Sequence, residues 1–355
     1  MKYISQVLIV FTLTILGVGC STTKEVAITF KEPSPVTLTN EIKTIGIIDA
    51  TEQSLVKLEG QSNLDAVAAS DEQWLSVNGT EASIEGLLDA LSKDRRFQGV
   101  KLIDRSDIAK SLGSVQLDQA TWNKIGELCK ENKVDAIFAL AHFDVDTRLT
   151  VRKATITETD LMRTQQRVKG QEITMETLIE NGWRIFDPNK KEIIDEIVTN
   201  DQLITSSQGK DLTEAFNNLG GRRQSALDFS KNTGVAYGQR LLPYEQQVLR
   251  EYFVKGDKGL NEAHVLIQEG QIAEAKNRLK PLVMDENTDL GSKASYNLAV
   301  LNEYQGDVEA AVEWTLKSIE LKRRPLNEEY LKILKSRQTK NILLQQQYPE
   351  IGSLD

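Results

Sequence analysis

Apolar and polar positions along the chain predict short strands and helices in the N-terminal half and helices alone near the C-terminus. Lys43–Asp49 (KTIGIID) is a β-branched run of the buried-strand type. In Glu81–Ser92, Ile84, Leu87, Leu88 and Leu91 fall on one face at helical spacing, and Val100–Ile103 supplies a further strand. Asp118–Glu131 reads as a second amphipathic helix through Trp122, Ile125, Leu128 and Cys129, and Val134–Leu140 as a near-continuous apolar strand. Strand, helix, strand, helix, strand implies an α/β core with parallel pairings. Residues 51–80 show little period and read as a long loop or short irregular pieces. Residues 141–157 read as extended. Gly182–Phe186 and Glu192–Val198 flank the turn Asp187-Pro188-Asn189-Lys190, which predicts a hairpin with Trp183 and Phe186 packed across it. A helix is expected over Gln224–Leu241, although Gly234 and Gly238 count against it. The fold class that follows is an α+β or α/β domain over residues 41–241, a mixed sheet with helices and a β-hairpin, followed by an all-α domain over 242–346 and a frayed tail at 347–355.

The all-α assignment rests on an internal repeat. NEAHVLIQEGQIAEAKNRLKPLV and YNLAVLNEYQGDVEAAVEWTLKSIEL align Ala263 with Ala299, Gly270 with Gly306 and Ala275 with Ala311, each pair 36 positions apart. Small residues in register at a period in the 30s are the mark of stacked helical pairs, with alanines at the close contacts and glycines in the turns. The pattern resembles tetratricopeptide repeats. Pro243–Phe253 (PYEQQVLREYF) is expected to cap the front of the array as a helix, and Asn327–Gln345 the back.

Met1–Cys20 (MKYISQVLIVFTLTILGVGC) has one basic residue, an apolar run too short to span a bilayer, and small residues before a cysteine. It resembles a bacterial lipoprotein signal with Val18 and Gly19 before Cys20, and Gly17 where a branched aliphatic is usual. That resemblance implies acylation of Cys20 and anchoring at the outer membrane, on the periplasmic face, since the residues after it are not an acidic run. Residues 21–40, rich in Ser and Thr with two prolines, read as an extended tether.

The chain of 355 residues carries 43 basic and 52 acidic side chains, a formal charge of −9 that becomes −10 when residues 1–20, with Lys2, are removed. This balance argues against nucleic acid as a partner and leads us to expect that membrane association depends on the lipid and not on the protein surface. Two histidines and two cysteines exclude a disulfide framework and a Cys-rich zinc site. No G-x-S-x-G, H-E-x-x-H or G-x-G-x-x-G occurs, so no catalytic residue and no cofactor are assigned. His142, Asp144 and Asp146 alternate along AHFDVD and would share one strand face, which makes them the metal candidates; the competing reading is a polar solvent-facing row with Phe143 and Val145 inward. Cys129, on an apolar helical face, reads as a core thiol.

Gly182–Asp187 (GWRIFD), Leu242–Tyr252 (LPYEQQVLREY in its main part) and Tyr296–Ala311, in this order after the signal, resemble an uncharacterised family of Bacteroidota lipoproteins with C-terminal tetratricopeptide-like repeats. At fold level the α/β part also looks like the periplasmic lipoprotein domains of the curli-secretion and penicillin-binding-protein-activator type. The resemblance implies an architecture and a compartment. The function expected is a non-enzymatic envelope scaffold that binds a protein or peptide partner through the repeat groove, with a metal-dependent enzyme or binder and a subunit of an envelope assembly as the alternatives.

Overall fold

The computed structural model describes residues 22–51, 63–104, 112, 117–159 and 165–349. In chain order its strands are β1 (Thr23–Glu32), β2 (Thr44–Asp49), β3 (Gly99–Ile103), β4 (Ala136–Thr159), β5 (Gln165–Asp187), β6 (Glu192–Gly209) and β7 (Tyr244–Phe253). Its helices are α1 (Asn63–Ser92), α2 (Gln119–Asn132), α3 (Leu212–Asn217), α4 (Arg222–Gln239), α5 (Lys258–Gln268), α6 (Ile272–Leu279), α7 (Thr288–Tyr304), α8 (Val308–Leu321) and α9 (Pro325–Gln347). They form two compact units, one from Ser34–Leu242 and one from the segments before and after it.

The first unit is built on a five-stranded sheet in the order β3-β2-β4-β5-β6, parallel across β3, β2 and β4 and antiparallel from β4 to β6. Alternation along the central strands serves two layers. Ile45, Ile47, Phe138 and Leu140 belong to the core under α1 and α4, while Ile48, Ile137 and Ala139 belong to the core under α2. The hairpin aromatics separate in the same way. Trp183 and Phe186 face Ile197 and Ile193 across the hairpin, and they pack onto opposite helical layers: Trp183 stacks on Tyr237 of α4 with ring centroids 5.1 Å apart, and Phe186 meets Trp122 of α2 edge-on at 6.1 Å. A register shift in each of the β4-β5 and β5-β6 pairs falls close to these residues.

Two expectations for this unit need correction. Residues 63–80, read as loop, are the first half of α1. Their buried positions, Ala68, Asp71, Leu75 and Gly79, keep a helical spacing that small and polar residues carry, which leaves almost no hydrophobic signal. Asp71 is buried because Arg222 (2.5 Å) and Arg223 (2.7 Å) both reach it. The glycines of α4, read as weakening the helix, let it touch α1: a Cβ on Gly234 would lie 1.8 Å from the Ser83 carbonyl oxygen, and one on Gly86 1.9 Å from that of Lys231. The Ser83 hydroxyl donates to the Ser230 carbonyl (2.8 Å) within that contact.

In the second unit β1 pairs antiparallel with β7 along its whole length, from Thr23 opposite Phe253 to Glu32 opposite Tyr244. Residues 23–32 are therefore a strand, not a tether, and Tyr244–Phe253 is a strand, not a capping helix. In both segments the inward residues recur every second position: Val26, Ile28 and Phe30 in one, Val248, Arg250 and Tyr252 in the other. The ribbon lies on α7, and the helices follow as antiparallel pairs, α5 with α6 and α7 with α8, closed by α9. Among the described residues no helix is long and apolar enough to cross a membrane.

Candidate functional site

The repeat positions mark how the helical pairs are made. Ala263, Ala275, Ala299 and Ala311 are fully buried, and Gly270 (φ +75°) and Gly306 (φ +89°) take the left-handed backbone. Each glycine closes its helix with the same two bonds. Gly270 N donates to Ile267 O and Gln271 N to Leu266 O; Gly306 N donates to Glu303 O and Asp307 N to Asn302 O. This is the paired closure in which a glycine ends a helix and the chain reverses.

The first helix of each pair turns a face toward the ribbon, by a side-chain contact on α5 and by a bond to extended backbone on α7. Asn297 on α7 is fully buried; its Oδ1 accepts from Phe253 N and its Nδ2 donates to Phe253 O, both at 2.7 Å. Tyr252 Oη and His264 Nδ1 on α5 are 2.8 Å apart. Further along α7, Glu303 is enclosed by protein. It accepts from Arg250 of β7 (3.0 Å), from Tyr330 (2.7 Å) and from Arg337 (2.6 Å) of α9. Burial alone would raise the Glu303 pKa, but the hydrogen bonds from Arg250 and Tyr330, with the charge of Arg250, outweigh it and hold the carboxyl below its usual range. Burial and the neighbouring carboxylate push the Tyr330 phenol well above its ordinary value, so Tyr330 is a permanent donor.

Two arginines on one carboxylate leave this cluster with one positive charge in excess. Arg337 also stacks on Phe30 of β1 at 3.7 Å and keeps one buried donor, Nε, without a partner. Above it, between the ribbon and α9, lies a groove of about 360 Å³ lined by Phe30, Val248 and Ile333 and by Arg250, Lys332 and Ser336. Sequence reasoning missed Glu303, Arg250, Arg337 and Asn297. The available signal was a glutamate and an asparagine inside a run otherwise committed to the core, YNLAVLNEY, but its partners lie on a strand and a helix that no local pattern connects to it.

The sheet unit distributes its candidates differently. His142, Asp144 and Asp146 share one face of β4, with Phe143 and Val145 buried beneath. They do not converge: His142 Nε2 pairs with Glu180 across the strands (2.9 Å) and Asp146 with Arg148 (2.9 Å). Among the described residues no group of three or more His, Cys, Asp or Glu is arranged to hold a metal ion. Cys129 is buried, and desolvation, with the charges of Asp135 and Asp187, pushes its thiol up to about 12, which removes it from nucleophilic chemistry. Cys20 lies outside the described residues.

A domain of unknown function (DUF8603) matches residues 42–253, more than half of the chain. The chain belongs to the DUF8603 family. The DUF8603 match runs from β2 through the end of β7, and a second domain of unknown function (DUF6340) matches residues 261–343, from α5 into α9. No curated protein matches the sequence. Solved structures similar to this DUF8603 member include a neuraminyllactose-binding hemagglutinin homolog from Helicobacter pylori, at 10% identity and a TM-score of 0.28 over 58% of this chain and 87% of that one. The PelC dodecamer from Paraburkholderia phytofirmans has 7% identity and a TM-score of 0.24 over 60% and 96%. The hypothetical protein CT253 from Chlamydia trachomatis has 14% identity and a TM-score of 0.21 over 56% and 90%.

Proposed function

We propose that the protein is a non-enzymatic lipoprotein of the bacterial cell envelope. It is held by acylated Cys20 on the periplasmic face of the outer membrane, and its tetratricopeptide-like helical unit binds a protein or peptide partner. The observation that carries the binding role is the groove beside Arg337: an apolar floor of Phe30, Val248 and Ile333 next to a buried cluster with one excess positive charge. Such a groove suits a peptide with one apolar and one acidic side chain, because the first removes apolar surface from water and the second answers the unmatched arginine. The helical face already holds one extended segment by its backbone, at Phe253, which supports reading it as a surface made for strands.

The binding role is tested by placing a photo-crosslinking residue at Ser336 in the full-length protein in its own cells, with Ile333→Asp beside it. A discrete adduct that disappears with Ile333→Asp is expected; an adduct that persists in the variant, or none from Ser336, overturns the reading. The anchor is tested separately by incorporation of a labelled fatty acid, expected in the wild type and lost in Cys20→Ala.

A further inference from the structure

The edges of the five-stranded sheet are not alike. β3, at one end, is five residues long and carries exposed Lys101. β4, which β2 leaves at Leu140, is guarded along its outer side: Glu72 of α1 accepts from Thr147 N at 3.2 Å, and exposed Arg148, Arg152 and Lys153 follow. Shortness, a covering helix and edge cations are the ways in which sheets discourage further pairing. β6, at the other end, has 18 residues, and among the described residues its one strand neighbour is β5. It contains no Pro, Lys or Arg, and its register with β5 is unbroken from Asp195 to Gly209. Near its start, Asp195 and Glu196 are bound by Tyr237 and Arg184; near its end, Asn218 beside α3 donates to Gln208 O at 2.8 Å. Between these, Ile197–Ser206 (IVTNDQLITS) has a single charge, Asp201. Val198 and Ile204, 52% and 58% exposed, share the outer sheet face with Leu178.

We infer that β6 is the contact between two copies of this chain, paired antiparallel about a two-fold axis within Ile197–Ser206, so that two five-stranded sheets become one. A nearly neutral edge offers little to a charged partner. What it matches is another neutral strand that alternates small polar and apolar residues, and β6 is itself such a strand. Antiparallel pairing over this stretch supplies about ten hydrogen bonds, the number a stable protein interface carries, and a two-fold contact closes on itself. It satisfies the outward N–H and C=O groups of the edge. It also brings Val198 and Ile204 of each copy beside the other's strand, which removes apolar surface that a single sheet leaves in water. An axis near Leu203 sets Asp201 opposite Thr205 of the second copy, which keeps the two carboxylates apart.

The test uses the chain from Ser21 onward, which keeps every described residue, in analytical ultracentrifugation and in amide hydrogen exchange over a range of concentrations. A monomer–dimer equilibrium is expected, with the amides of Ile197–Ser206 gaining protection as the dimer fills and those of β3 unchanged. Gln202→Lys/Ile204→Lys places like charges across the new strand pair and should weaken the dimer by about tenfold. Thr174→Lys/Leu178→Lys makes the same charge change on the same sheet face one strand inward, on β5, and should dimerise like the parent. That variant separates pairing by the edge from packing face to face. A monomer at every concentration, a dimer without added protection in Ile197–Ser206, a dimer that Gln202→Lys/Ile204→Lys leaves intact, or loss through the β5 variant overturns the inference. The exchange measurement on the unsubstituted chain decides the matter even where a variant does not fold.

Discussion

Around Gly86 and Gly234, where α1 meets α4 in the sheet unit, the contact is made by backbone, and where β7 and α9 meet α7 in the helical unit it is made by charge. At the first, Gly86 and Gly234 bring carbonyl oxygens to within a side chain's thickness of the opposing helix, and neutral hydroxyls of Ser83 and Thr233 fill the remaining space. At the second, one carboxylate enclosed by protein holds two arginines and a tyrosine from three different elements. Hydroxyl bonds of the first kind contribute about 1 kcal/mol each and tolerate exchange for apolar groups. A buried ion cluster is near neutral while complete, and breaking it by removing one member costs about 3–5 kcal/mol. The glycine contact is therefore sensitive to size and the Glu303 cluster to charge.

The largest effect is expected from Glu303→Ala, which strands Arg250, Arg337 and Tyr330 together and should destabilise the helical unit by about 3–5 kcal/mol. Hydrogen exchange resolved by region checks it: protection should fall in β1, β7, α7 and α9 and hold in α1 and α4. Loss spread evenly over both units would break the contrast. Acid should act on the same cluster. The folded Glu303 has its pKa lowered relative to an unfolded value of about 4.3, so its contribution is fully present above the unfolded value and is lost as pH falls through the folded one. The helical unit should weaken on acidification, and Glu303→Gln should remove the share that Glu303 carries, leaving that of Asp289, whose carboxyl the hydrogen bonds from Lys293 and Lys322 hold well below its usual range.

Next in size is Gly234→Ala. In an isolated helix this exchange is favourable by about 1 kcal/mol. Here the new methyl meets the Ser83 carbonyl at 1.8 Å and forces α4 away from α1, for which a cost of about 1–3 kcal/mol is expected. Chemical denaturation gives the sign at once, and a gain in stability would show that the helices are free to separate.

These two sites also show how far the sequence could be read. Helices with an apolar stripe, such as α2, and the paired helices with alanines in register announce themselves, because burial there is done by residues whose only favourable place is the interior. The first half of α1 does not, because of its inward residues Ala68, Asp71, Leu75 and Gly79 only Leu75 is large and apolar, and Asp71 is made burial-tolerant by Arg222 and Arg223 of α4, far along the chain. The ribbon is hidden for a related reason. YEQQVLREYF carries helix-forming residues, and its strand state depends on pairing with residues 23–32, on the other side of the whole sheet unit in sequence. Of the groove, the helical faces were legible as a repeat. The charge that defines it was not, since no local pattern assigns Glu303 to Arg250 and Arg337.

Asn297→Ala probes the middle of that hidden junction. It leaves the buried N–H and C=O of Phe253 unpaired, at about 1–3 kcal/mol for each group that water does not reach. The expected result is faster amide exchange along β1 and β7 with α7 and α8 little changed. If α7 itself opens, the ribbon supports the helix and not the reverse.

The smallest effect repeats the comparison inside the helical unit, between its two pairs. Asp307 and Gln271 occupy the same place 36 residues apart, at the start of α8 and α6, with similar backbone angles (φ −80°, ψ 80° and φ −84°, ψ 64°). Asp307 caps its helix by accepting from Ala310 N at 2.9 Å, while Gln271 makes no side-chain cap, its amide being one methylene too long to turn back on the first turn. Gln271→Asp gives α6 the shorter acceptor in a backbone already shaped for it, with Glu274 N as the donor to be satisfied. A gain of about 1 kcal/mol is expected, reduced somewhat by the charge of Glu274 in the same turn and seen as a rise in denaturation midpoint. Asp307→Gln should lose a similar amount. If the two exchanges do not mirror each other in sign, the two pairs are not equivalent units, and the 36-residue register describes their sequence without describing their energetics.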